Sequence, residues 1–262
     1  MRKAEFLLPV SMLFAAVTLT IVDARDASAG AIAAGPAKRA DQPVPATPPS
    51  TLSIVDLQLH YEAYLGGLNV GEAEVVLNTK DSAYTVAGTA RTVGLWDRFQ
   101  QWRAQFGVEG VRSPLEPLPA SFFSTQTTQS KQREVVVKDG LLHVTKNHKK
   151  RSPEPALPGI DMLSALFFLA PCTKKMQIHT GRDAYDFRLL GSPKISGRKQ
   201  GATSCRYDVH HEEDRDFKLQ INYEQVAQAL VPARIEISGP LNGYLVLAPE
   251  GNSDSATSGP QK

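Results

Sequence analysis

The sequence predicts a mostly β protein: a long antiparallel meander curved into a half-barrel or β-spiral around one short buried helix at about residues 161–170, with a β-sandwich as the alternative. Three observations predict it. Period-two alternation dominates from about Leu52 to Ala248, turn-forming residues punctuate it, and one segment alone is apolar on nearly every side.

The alternation starts with "LQLHYEAYL", where Leu57, Leu59, Tyr61, Ala63 and Leu65 share one face and Gln58, His60, Glu62 and Tyr64 the other. In "EAEVVL", Ala73, Val75 and Leu77 fall together. Further strand candidates are "AYTVAGTART", "FQQWRAQFGVEG", "PASFFSTQT", "QREVVVKDG", "LLHVTK", "KMQIHTGRDAYDFRLL", "SCRYDVHHEE", "FKLQINY", "PARIEISG" and "YLVLA". Turn chemistry separates several of them, at Lys138-Asp139-Gly140, Ser192-Pro193 and Leu241-Asn242-Gly243. "YEQVAQAL" before Pro232 reads as a short helical turn or a loop, and "GLWDRFQQWRAQF" as a loop or helical turn to about Arg98 followed by a strand.

Between the first two strands lies "YLGGLNVGEAEVVLN", whose glycines are spaced like those of a phosphate-cradling loop. A dinucleotide or P-loop site needs a helix after the glycines, so that its N-terminus faces the phosphates. Here a second alternating strand follows and no Lys-Ser/Thr comes after Gly71, which excludes both. The expectation is a hairpin: residues 57–65 pair antiparallel with 72–78, with Gly66, Gly67 or Gly71 in a turn or bulge.

The exceptional segment is "PGIDMLSALFFLAPC". Asp161 is placed to cap a helix running to about Ala170, and Pro171 stops it. Met162, Leu163, Ala165, Leu166, Phe167, Phe168 and Leu169 cover nearly every face, so such a helix must be enclosed on all sides. In a chain of strands, that place is inside the curve of the sheet. Cys172 and Cys205 are the two cysteines of the chain, and in an oxidising compartment they form a disulfide that pins the helix to "SCRYDV".

The compartment is read from the N-terminus. Arg2 and Lys3, an apolar run from Leu7 to Val22 and the small residues Ala27-Ser28-Ala29 have the order of a secretory signal, with cleavage expected after Ala29. The run is 16 residues long and interrupted by Pro9, shorter than the roughly 18 to 20 residues of a membrane span. A periplasmic location follows as the expectation, with an uncleaved inner-membrane anchor as the alternative. Residues 30–51 are an Ala/Pro-rich tether, 52–248 a single β-rich domain, and 249–262 a tail of disordered composition. The formal net charge is +2 with or without residues 1–29, which hold three basic and three acidic residues. Nothing in that balance favours nucleic acid.

Catalytic signatures are sparse. There is no GxSxG elbow, no CxxC pair and no metal-ligand spacing around the histidines. In "HHEED" at 210–214, neighbours on a strand point to opposite faces and only alternate residues converge. Glu72 and Glu74 share a face that solvation explains. The expectation is therefore no catalytic residue, no metal and no cofactor. Binding candidates remain. The plug residues Met162, Leu163, Leu166, Phe167, Phe168 and Leu169, with Trp96 and Trp102, are placed to line a ligand space. The run "KNHKKR" offers Lys146, Lys149, Lys150 and Arg151 to an anionic partner such as lipid headgroups or a cell-wall polymer, with "SGRKQG" adding Arg198 and Lys199.

Taken in order, "YEAYLGGLNVGEAEVVL", "DMLSALFFLAPC" and "VPARIEI" resemble the exported bacterial family of domain of unknown function 3108, across most of residues 57–240. The resemblance implies a periplasmic β-rich domain, akin to curved-sheet envelope proteins that bind lipids or lipoproteins, and brings no catalytic residues. "NYEQVAQAL" departs from the pattern, which would have a short strand with an aromatic residue and an acidic turn there. The expected function is that of a non-enzymatic envelope protein binding an apolar or amphipathic ligand, or a lipidated partner, in a curved sheet. The alternatives are a structural or interaction protein supporting the cell envelope, and a hydrolase.

Overall fold

The computed structural model describes residues 55–113, 117–181, 183–195, 202–211, 216–239 and 242–249. The signal segment, the tether, "SGRKQG" and all but the first residue of the tail lie outside them. The strands are β1 (Val55–Leu65), β2 (Leu68–Lys80), β3 (Ala83–Thr92), β4 (Trp102–Arg112), β5 (Pro117–Thr128), β6 (Gln132–Lys138) and β7 (Leu141–Lys146). The short pairs β8 (Lys149–Lys150), β9 (Glu154–Pro155) and β10 (Ile160–Asp161) follow. Then come β11 (Lys175–His179), β12 (Ala184–Leu189), β13 (Lys194–Ile195), β14 (Thr203–His210), β15 (Phe217–Val226), β16 (Ala229–Ser238) and β17 (Gly243–Leu247). Helix α1 (Gly94–Phe99) joins β3 to β4, and α2 (Met162–Phe168) joins β10 to β11.

Each strand of β1 to β7 pairs antiparallel with the next, as a meander requires. The second half, β11 through β17, is another meander, in which β12 and β13 both pair with β14. Two pairings join elements remote in sequence. β1 takes β17 on its free side, with Tyr61 opposite Leu247 and Leu65 opposite Gly243, so the first and last strands meet in the middle of one sheet. β10 pairs with β11 in parallel, across the helix between them. "KMQIHTGRDAYDFRLL", expected as one strand, is the hairpin of β11 and β12, with His179 opposite Ala184.

The first hairpin forms as expected. β1 pairs with β2 from Val55–Thr79 to Leu65–Leu68, and the register shifts at Ala63/Tyr64 opposite Gly71 and Asn69. Gly66 and Gly67 carry φ of 57° and 84°, the two left-handed residues that a two-residue turn of matching twist demands.

The sheet curves so that its inward side chains surround α2. The helix touches β4 and β5 from one half and β11 and β16 from the other. Asp161 caps it, accepting from the Ser164 backbone N–H at 2.9 Å. It ends at Phe168 rather than Ala170, because the residue before a proline is disfavoured in helical conformation and Leu169 has already turned extended. The rims of the curved sheet approach each other on side chains: Gly181 lies so close to Val135 and Phe122 that a Cβ there would sit within 2.9 Å of both. No hydrogen-bonded strand pair bridges β5 to β10 or β11 among the described residues, so the sheet remains an open half-barrel.

Candidate functional site

The interior is filled. Met162, Leu163, Ala165 and Leu166 are buried among Leu59, Tyr61, Val75, Val86, Phe106 and Ile235. Among the described residues an apolar, partly open cavity of about 30 Å³ is walled by residues that include Tyr61, Ala90, Trp102, Phe106, Leu163 and Leu166. That is about the volume of one water molecule, far below an acyl chain. Trp102 belongs to this wall, while Trp96 packs against the core half-buried from α1.

A polar trio sits in this core. Asp161, Ser164 and Tyr84 are essentially inaccessible, and the Ser164 and Tyr84 hydroxyls bond at 2.7 Å. Burial pushes the Asp161 carboxyl up from its ordinary range, with hydrogen bonds from Ser164 opposing it. Its Oδ2 has no partner among the described residues. His179 lies opposite Asp161 in the parallel pair, but its Nδ1 accepts the Gly181 N–H at 3.2 Å and burial lowers its basicity. Through the Ser164–Tyr84 bond and the Asp161 cap, the trio locks the start of the helix to β3.

A raised carboxyl pKa has a definite sign. The folded state binds the Asp161 proton more tightly than the unfolded chain does, so stability falls as pH rises from about 4, the unfolded value, through the raised folded value. Wild type should lose Tm relative to Asp161→Asn over that interval, and the difference should level off above it. Melting curves from pH 4 to 8 check this, and a difference independent of pH would refute it.

The open space lies at the mouth, beyond the C-terminal end of α2. A recess of about 390 Å³ has Phe167, Phe168, Leu169, Ala170 and Pro171 as its floor. Its walls are Leu77 and Thr79 of β2, Arg112 and Ser113 at the end of β4, and Tyr223, Gln225, Gln228, Ala229 and Leu230. The last five explain "YEQVAQAL", which is neither helix nor loop. β15 runs on to Val226, turns at Ala227 (φ 50°) and Gln228, and returns as β16 from Ala229. Strand pairing overrides the helical leaning of Gln, Ala and Leu. The Cys172–Cys205 disulfide fixes the floor to β14, with Cα atoms 5.1 Å apart.

Of the sequence candidates, Phe167, Phe168 and Leu169 line the recess, Phe167 also bordering the small apolar cavity, whereas Met162, Leu163, Leu166 and Trp102 are buried in the interior. Lys146, Lys149, Lys150 and Arg151 are at the other end of the strands, around a turn in which Asn147 and His148 are left-handed (φ 49° and 65°). Arg112, Gln225, Gln228 and Leu230 were not singled out. Arg112 ends an ordinary alternating strand, and the other three lie in "YEQVAQAL", whose composition leans towards helix or loop. The "HHEED" stretch is only partly described: His210 bonds Asp216 through Nδ1 at 2.5 Å, His211 stacks on Tyr185, and Glu212, Glu213 and Asp214 lie outside the described residues. Among the described residues no three His, Cys, Asp or Glu side chains cluster as metal ligands.

These features define a class: an open half-barrel of antiparallel strands, plugged by one capped helix and held by a disulfide. The chain belongs to the family described as protein of unknown function (DUF3108), whose sequence model matches residues 60–244. Among solved structures it is similar to a crystal structure described as a β-barrel-like protein of domain of unknown function DUF1849 from Brucella abortus. That similarity has 10% identity, covers 76% of this chain and 98% of the other, and has a TM-score of 0.45. No curated protein matches the chain.

Proposed function

We propose that this is a non-enzymatic protein of the cell envelope, exported to the periplasm, that holds the apolar end of an amphipathic ligand or of a lipidated partner in the recess at the mouth of the half-barrel. The observation that carries this reading is the recess itself. Its volume of about 390 Å³ falls within the roughly 300–1,000 Å³ of small-molecule sites. Phe167, Phe168, Leu77 and Leu230 offer an apolar floor, and Arg112, Gln225 and Gln228 offer polar groups beside it. Such a division suits a single chain going in and an anionic head staying at Arg112. The closed disulfide supports an oxidising compartment.

The test uses a fluorescent long-chain fatty acid and the neutral alcohol of the same chain. Wild type should bind both, and Gln225→Trp, which puts bulk into the recess from an exposed position, should lower affinity for both at least tenfold without lowering Tm. Arg112→Gln should weaken the acid several-fold and leave the alcohol unchanged. Absence of binding by wild type, or full binding by Gln225→Trp, would sink the reading.

A further inference from the structure

At the end of the half-barrel away from the recess lie the most exposed large apolar side chains among the described residues. Leu68 is 66% exposed, Leu95 69% and Phe99 74%. They are brought together by the fold. Gly71 on β2 pairs with Thr92 on β3, and the next residue of that chain, Val93, donates its N–H to the Val70 carbonyl at 3.2 Å. The first hairpin tip and α1 therefore stand side by side. Leu95 and Phe99 are four residues apart and share one side of α1, while Trp96 takes the side against the core. No residue of α1 is buried. Packing of Trp96 accounts for the helix, but not for the Leu and Phe that it points outward.

The charges at this end are arranged around that tip. The register runs from Trp102 opposite Thr128, through Thr127 opposite Gln132, to Lys146 opposite Lys149. The exposed cations Arg98, Lys131, Lys149 and Lys150 therefore all sit at strand ends on the side where α1 lies. The nearby carboxylates of Glu72 and Asp97 are each held by an arginine, Arg91 and Arg103 respectively. Exposed acidic residues at this end are Glu134 on β6, opposite Thr145 and so among the cations, and Asp208 and Asp216 on β14 and at the start of β15, in the other half of the sheet; four exposed cations against one exposed carboxylate leave the α1 sector positive. Positive charge and apolar tip are thus on the same sector.

We propose that this sector is a docking face for an anionic phospholipid bilayer, with Leu68, Leu95 and Phe99 entering the interfacial layer and Arg98, Lys131, Lys149 and Lys150 meeting headgroups. Side chains two-thirds exposed or more project from a surface rather than line a groove, and cations spread over several strand ends match a charged plane. Together they give the paired apolar and electrostatic attachment of a peripheral membrane protein. The inference is independent of the ligand reading. It sets the recess at the far end of the strands, roughly 30 Å from the bilayer given about 3.3 Å per residue.

The test is co-sedimentation of the full chain, as purified from cells, with vesicles of phosphatidylcholine alone or with 30% phosphatidylglycerol. Wild type should bind the anionic vesicles at least tenfold more tightly, and 0.5 M salt should erase most of that preference. Leu95→Asp with Phe99→Asp should lower binding to anionic vesicles at least tenfold. Lys149→Glu with Lys150→Glu should remove the preference while leaving Tm unchanged, because both side chains are exposed. Gln225→Trp should sediment as wild type does, which separates this face from the recess. Equal binding to both vesicle types by wild type, or wild-type binding by the Leu95/Phe99 and Lys149/Lys150 variants, would overturn the proposal.

Discussion

Leu163→Ala should lower the unfolding free energy by roughly 3–5 kcal/mol, because it removes a fully enclosed side chain from the one element that fills the half-barrel. Leu163 is 2% exposed and already borders the apolar cavity of about 30 Å³. Truncation enlarges a void whose walls are strands locked in pairs on both sides, so the surroundings relax little. The expected readout is a shift of the urea midpoint with an unchanged m-value. A second consequence distinguishes this site from an ordinary core position: the enlarged cavity has largely apolar walls, so it should admit xenon or benzene. A loss below about 1 kcal/mol would mean that α2 does not carry the core.

Replacing both cysteines, Cys172→Ser with Cys205→Ser, should cost about 4 kcal/mol on the chain-entropy account for a loop of 33 residues. For a domain of this size that corresponds to a Tm lower by roughly 8–16 °C. The effect should also reach the recess. Cys172 follows directly on Pro171, the last residue of its floor, and Cys205 is fully buried on β14. Without the bond, Leu169 to Pro171 are held by backbone geometry alone, and affinity for the fatty acid probe should fall further than stability at the assay temperature explains. Thermal melts and titrations of the oxidised, reduced and double-serine proteins compare the two effects. Equal melting of all three would refute the structural role of the bond.

Much of the fold was legible because its determinants are short-range. Leu57, Leu59, Tyr61 and Ala63 alternate, and they are the buried side of β1. Gly66-Gly67 and Asp139-Gly140 allow left-handed turns, and they make them. Asp161 before an apolar run is a cap, and it caps. In each case the residue's own chemistry, together with neighbours three or four positions away, decides the outcome. The even apolarity of Met162 to Leu169 also required enclosure, and α2 is enclosed at its first five residues.

The candidate site was legible only in part, for a physical reason. Phe167, Phe168 and Leu169 were recognisable as apolar residues needing cover, but which of them would face a void depends on what packs opposite. Gln225, Gln228 and Leu230 reach the recess because Tyr223 pairs with Pro232 and Val226 with Ala229, and a hairpin of that register outweighs the helix preference of the segment.

Composition and alternation alone determined that this chain would be a curved β protein around one capped helix, with a cysteine pair to hold it. The tertiary structure alone decided three things: that β1 joins β17 in the centre of the sheet, that β10 joins β11 in parallel, and that a space of ligand size lies at the mouth, beyond the end of α2. Backbone hydrogen bonds between strands are nearly blind to residue identity, so a partner some 180 residues away is chosen by the burial of whole faces rather than by any local signal. A cavity is what remains after all side chains have packed, and no single stretch of sequence specifies it.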